Sequence, residues 1–149
     1  MMRIKPALLL AVFVILLIVS CRKVAVMPTY PSAISLEFNG NPVTAKNPVA
    51  VYDSSKSALQ LMGQTTGNVI EVVVNGKMGL GTFDITTGQA SINYRVGSDV
   101  YTATSGSVVV TSFTNIQVMG SFEFAAVDTA MVAGTGTKGT FTTPYTNQQ

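Results

Sequence analysis

The chain has 149 residues, with nine lysines and arginines against seven aspartates and glutamates, one cysteine, and neither histidine nor tryptophan. Without histidine there is no Ser-His-Asp or Cys-His nucleophilic machinery, no imidazole metal site and no ordinary proton shuttle near neutral pH. A lone cysteine excludes an internal disulfide, so stability has to come from an apolar core.

The chain opens on Met1 to Pro6, which carries Arg3 and Lys5 and no acid. Ala7 to Val19 is then an unbroken apolar run of 13 residues. A spanning helix needs about 20 apolar residues, so this run has the length of a signal-peptide core instead. It ends in Ile18-Val19-Ser20-Cys21, where a branched residue, a valine, a small residue and a cysteine fall in register. That stretch resembles the lipobox of bacterial lipoprotein precursors. The resemblance implies a signal helix over 1–20, recognition by signal peptidase through Ile18, Val19 and Ser20, and a mature chain starting at Cys21. It further implies a diacylglyceryl thioether on the Cys21 sulfur and an acyl chain such as palmitate on its nitrogen. Each buried methylene contributes about 0.8 kcal/mol, so two or three chains make a stable membrane anchor.

Removing residues 1–20 leaves 129, enough for one domain. Arg3 and Lys5 leave with the signal, so seven cations face seven acids. With no net positive charge and no basic cluster beyond Arg22-Lys23, nucleic acid is excluded as a partner. Residues 21–33 are expected to be the lipidated cysteine and a flexible tether, because Pro28 and Pro31 break any helix and no period is sustained. Some surface-bound lipoproteins carry acids just after the cysteine. Arg22 and Lys23 stand there instead, which favours the periplasmic face of the outer membrane over the cell surface.

From Ile34 the period is two. Ile34 to Phe38 alternates and ends in Asn39-Gly40, a type I′ hairpin signal, with Pro42 marking an edge strand or a strand start. Further strands are expected at Val49–Tyr52, Ala58–Met62, Val69–Val74, Thr82–Thr86, Ser91–Val96, Val100–Thr104, Ser107–Phe113, Gln117–Val127 and within Lys138–Thr143. About ten short strands with turn residues between them predict an all-β fold, an antiparallel β-sandwich or barrel-like domain over 34–145. Residues 146–149 are expected to be a frayed tail.

Gly120-Ser121-Phe122-Glu123-Phe124 and Gly139-Thr140-Phe141 share a glycine-led form, with Gly81-Thr82-Phe83 an earlier echo and Gly106 opening a strand between them. With the lipobox and the Asn39-Gly40 turn, this resembles a family of small uncharacterised lipoproteins of Bacteroidota-type bacteria, over roughly Ile34 to Tyr145. The resemblance implies an all-β fold and brings no activity, cofactor or site.

Three function classes remain. A glycoside hydrolase would need two of Glu37, Asp53, Glu71, Asp84, Asp99, Glu123 and Asp128 across a cleft. The glutamates fall at outward strand phases and Asp53, Asp99 and Asp128 in turns, where aspartate caps its own backbone. No calcium-loop pattern is present, and no cofactor is expected. A glycan-binding module would use surface tyrosines, Tyr94 and Tyr101 flanking one turn, although Tyr94 is in phase with Ile92 and Val96 and so is read in preference as core. The reading preferred is a non-catalytic binding or scaffolding protein of the envelope, held to the membrane through Cys21 and meeting an envelope protein or a glycan.

Overall fold

The computed structural model describes residues 31–76 and 79–148. The signal helix, the lipobox with Cys21, and the tether as far as Tyr30 lie outside the described residues. Ten strands follow: β1 Ala33–Phe38, β2 Asn41–Lys46, β3 Val49–Asp53, β4 Ala58–Gln64, β5 Asn68–Asn75, β6 Gly81–Asp84, β7 Ala90–Val96, β8 Asp99–Phe113, β9 Gln117–Val127 and β10 Ala133–Gln148.

The ladder closes on itself. Antiparallel pairs run β3–β4, β4–β5, β5–β7, β7–β8, β8–β9 and β9–β10, and β10 then pairs back to β1 and β3. β2 leads through Asn47-Pro48 into β3, and β6 and β7 both lie antiparallel along β8. Ten strands with two such end-to-end pairs make eight staves of a barrel. One ladder departs from the antiparallel expectation. β10 outruns β1 by several residues, and its last four, Tyr145 to Gln148, pair in parallel with Ala50 to Asp53. Residues 146–148 are therefore part of the closing seam and not a frayed tail, because β3 offers them an otherwise open edge.

Alternation fills the interior. Leu59 and Leu61 of β4, Ile70, Val72 and Val74 of β5, and Ile92 of β7 are buried at every second position while their neighbours face out. The glycine-led motif has a steric cause in the β9–β10 pair. Gly120 lies opposite Phe141, Phe122 opposite Gly139, and Phe124 opposite Gly136. Each ring covers the glycine across from it, and a Cβ at any of these glycines would strike that ring. Three phenylalanines thus fit in one narrow pair of staves because the facing positions are empty.

Bulges set the curvature. In β8 the pairing with β9 slips between Ala103 and Ser105 and again between Val110 and Ser112. Val100–Thr104 and Ser107–Phe113, expected as two strands, are one strand of 15 residues. The first slip, beside Gly106 at φ +127°, swaps which parity faces inward, and that break of phase reads in sequence as a strand end. β10 carries a third bulge at Thr137-Lys138 and starts at Ala133, five residues before the expected strand. Its inward positions there are Gly134 and Gly136, so no apolar alternation marks them.

The Asn39-Gly40 turn has positive φ at both centres, 49° and 78°, as a type I′ hairpin requires. Phe38 and Asn41 flank it as the hydrogen-bonded pair, so Pro42, next along, turns its nitrogen to the outer edge of β2. That edge lacks a donor at Pro42 and ends in Lys46, two devices that discourage strand addition there.

Strand direction fixes two ends. The proximal end, toward which the chain preceding β1 leads, carries the β3–β4, β5–β6 and β8–β9 connections and the end of β10. The distal end carries β1–β2, β4–β5, β7–β8 and β9–β10. Among the described residues no helix is long and apolar enough to cross a membrane.

Candidate functional site

Tyr94 and Tyr101 are brought together, as a directly opposed cross-strand pair on β7 and β8. They face inward. Tyr94 is only 1% exposed and Tyr101 is half-buried. The Phe38 ring sits 4.5 Å from Tyr94 and 4.9 Å from Tyr101, centroid to centroid. Burial pushes the Tyr94 phenol pKa up. This corrects the surface-platform expectation for Tyr94: its phase with buried Ile92 puts the ring in the core, so it has no free face for a sugar. Tyr52 and Tyr145 are half-buried around Phe113 near the other end, and the Tyr145 hydroxyl donates to the Thr114 carbonyl at 2.8 Å.

The carboxylates are spread over the barrel, and six of the seven have local partners. Glu37 pairs with Lys138 at 2.9 Å. Glu71 accepts from Gln60 at 2.5 Å and Asn93 at 3.3 Å, and Thr102 extends this outer ladder by donating to Asn93. Asp84 accepts from the Thr86 hydroxyl and the Thr87 amide, which lowers its pKa, and holds the turn that drops Ile85 into the core. Asp99 accepts from the Ser98 hydroxyl. Glu123 shares a surface hollow of 300 Å³ with Lys138, and Asp53 one of 270 Å³ with Lys56. Lys56 is ion-paired to Asp53, while the Lys138 ammonium is held by Glu37. Among the described residues no three metal-ligating side chains gather.

Asp53 caps its turn most fully. Its carboxylate takes the Ser55 hydroxyl at 2.6 Å, the Ser55 amide at 3.0 Å, the Lys56 amide at 3.2 Å and the Lys56 ammonium at 3.0 Å. The Ser55 hydroxyl first, then Lys56, lowers its pKa from 3.8 to about 2. A depressed carboxyl supports the fold above its unfolded value, and that support is lost as pH falls through the folded one. The Asp53 carboxyl carbon is expected to titrate near pH 2 by NMR, and Ser55→Ala to move that midpoint upward. A midpoint near 3.8 in the unaltered protein would contradict the cap.

Two exposed apolar surfaces were not expected. At the distal end the β9–β10 connection presents Met131, 77% exposed, and Val132, with Val96 and Val100 on the β7–β8 hairpin. The loop is held firmly. The Asp128 carboxylate accepts the Ala130 amide at 2.9 Å and the Val132 amide at 2.8 Å, and backbone bonds join Asp128 to Val132 and to Met131. Met131 sits at φ +63°, a conformation that costs a side-chain-bearing residue about 1–2 kcal/mol. The signal in sequence was Ala130-Met131-Val132, an apolar triplet in a turn.

The second surface is a hollow of 580 Å³ on the outer wall at the proximal end. Pro31, Ser112, Asn115, Ile116, Met119 and Thr142 line it. Met119 pairs across to Thr142, and the second β8 bulge turns Ser112 outward while Phe113 goes in, which opens the wall here. Ile116, at the tip of the β8–β9 turn, is 48% exposed. No family model, curated protein or solved structure matches this chain.

Proposed function

We propose that this chain is the precursor of a lipid-anchored envelope protein whose barrel is a non-catalytic recognition module, with the anchor on Cys21 and the partner met at the distal end. The observation that carries it is polarity. β1, the strand that follows the lipobox segment in sequence, begins at one end of the barrel, and the firmly held apolar loop of Met131 and Val132 stands at the other. Exposed apolar side chains gathered on a constrained loop favour a protein partner over a sugar. The carboxylates support the non-catalytic reading, since the contacts that hold them are those of turn caps, ion pairs and an outer polar ladder. The glycan alternative loses its platform with Tyr94 in the core. The glycine-led strands and the lipobox resemble those of small Bacteroidota-type lipoproteins, and Arg22-Lys23 in place of acids after the cysteine favour the periplasmic face of the outer membrane.

The test has two arms. Intact mass of protein extracted from membranes should match 21–149 plus diacylglyceryl and acyl groups, and Cys21→Ala should release the protein from the membrane fraction. A mass retaining Met1 overturns the anchor. A photo-crosslinking residue at Met131 or Val132 should trap one envelope protein, whereas the same residue at exposed Val49 or Met62 on the side wall should not. Equal trapping at all four positions overturns the distal site.

A further inference from the structure

The proximal end carries its own apolar tips, and they are not the ones the distal partner would meet. Leu80, in the β5–β6 connection, is 70% exposed, and Ile116 projects from the β8–β9 turn beside the Pro31 hollow. Both connections lie on the end toward which the chain before β1 runs. Both tips are branched aliphatics where turns ordinarily carry polar residues.

Charge points the same way. Among the described residues the connections at this end hold one neutralised pair, Asp53 with Lys56 at 3.0 Å, so the surplus lies on the chain before Pro31. The segment leading from Pro31 toward Cys21 adds Arg22 and Lys23 and no acid. Aliphatic tips beside a stretch of chain that carries two cations and no acid match an anionic lipid surface, where the charges meet headgroups and the tips enter the boundary of the acyl region.

Chain length then limits what this end can meet. Only ten residue steps separate Cys21 from Pro31, a reach of about 30 Å if fully extended at roughly 3.1 Å per residue. A lipid-held Cys21 keeps the proximal end within that distance of the bilayer at all times, so contact is an intramolecular event with a high effective concentration.

We infer that the proximal end is a membrane-contacting face, with Leu80 and Ile116 as its inserting side chains and the bilayer that holds Cys21 as its occupant. This rests on the lipid-anchor reading above. The barrel then stands on the membrane in one orientation, distal loop outward, and does not swing freely on its tether.

Because the chain has no tryptophan, one introduced indole reports its own surroundings. The full lipidated protein would be made as Ile116→Trp, Leu80→Trp and, at the distal end, Met131→Trp. Each is reconstituted into vesicles of phosphatidylethanolamine and phosphatidylglycerol, with and without spin-labelled lipid. All three positions are exposed, so folding should survive. The expected result is flotation of all three, with a blue shift and several-fold stronger quenching at 116 and 80 than at 131. Flotation with equal or absent quenching overturns the contact face while leaving the anchor intact. A blue shift at 116 that spin-labelled lipid does not quench means a second copy of the chain covers the tip, and overturns it too. Failure to float overturns the anchor, and the contact face falls with it.

Discussion

Gly120→Ala is expected to destabilise the barrel by about 3 kcal/mol, the upper part of the range for overpacking a closed core. The added Cβ would lie inside contact distance of the Val109 carbonyl oxygen on one side and of the Phe141 ring on the other. β9 is laddered to β8 and to β10 along its length, so the backbone has nowhere to retreat. Urea unfolding should show a lower midpoint with an unchanged slope. A shift within about 0.5 kcal/mol, the range of an ordinary surface change, would mean the ring and carbonyl are not where they are described. Gly136→Ala supplies the control, because the three atoms nearest its new methyl all belong to the Phe124 ring. Combined with Phe124→Leu it should cost less than the sum of the two single changes, the sign of a shared contact. No such relief is open to Gly120, where the obstacle is partly backbone.

Ending the chain after Tyr145 should cost about 2–3 kcal/mol, from a few net hydrogen bonds at about 1 kcal/mol each. The lost residues are the parallel seam: Thr146 beside Val51, Asn147 beside Tyr52 and Gln148 beside Asp53. The Gln148 carbonyl accepts both the amide and the hydroxyl of Ser54 at 3.1 Å, and the Thr146 hydroxyl donates to Ala50 at 3.5 Å. The truncated chain would also bare the edge of β3, so self-association at high concentration should accompany the lower urea midpoint. A frayed tail would give neither effect.

What could be read in advance followed from which side chains point inward. Where inward residues are Leu, Ile, Val or Phe, as in β4, β5 and β9, the period-two pattern marked the strands and their faces. The Asn39-Gly40 turn was readable because its chemistry is local. Three features were hidden. Gly134 and Gly136 occupy inward positions of β10 with no apolar side chain, so that stave began later in sequence than in space. The bulges at Thr104 and Thr111 shift parity mid-strand, and a parity change is indistinguishable from a strand end in one dimension. The parallel seam depends on β10 outrunning β1, a matter of relative length that no local pattern encodes. The same limit applied to the sites. Tyr94 carried a legible phase that put it in the core, whereas the exposure of Met131, Leu80 and Ile116 depends on where turns fall around a closed ring.

The ring also orders events in time. Ala33 pairs with Thr142, 109 positions later, and Phe38 with Gly136. The first stave therefore has no partner on that side until nearly all of the chain is present, and the seam at β3 waits for the last four residues of β10. Contacts so distant in sequence make closure slow compared with a chain of local pairings. On the lipid-anchored reading proposed above, a precursor threaded through a membrane would gain from that delay, since its first stave cannot be closed until the last strand is present.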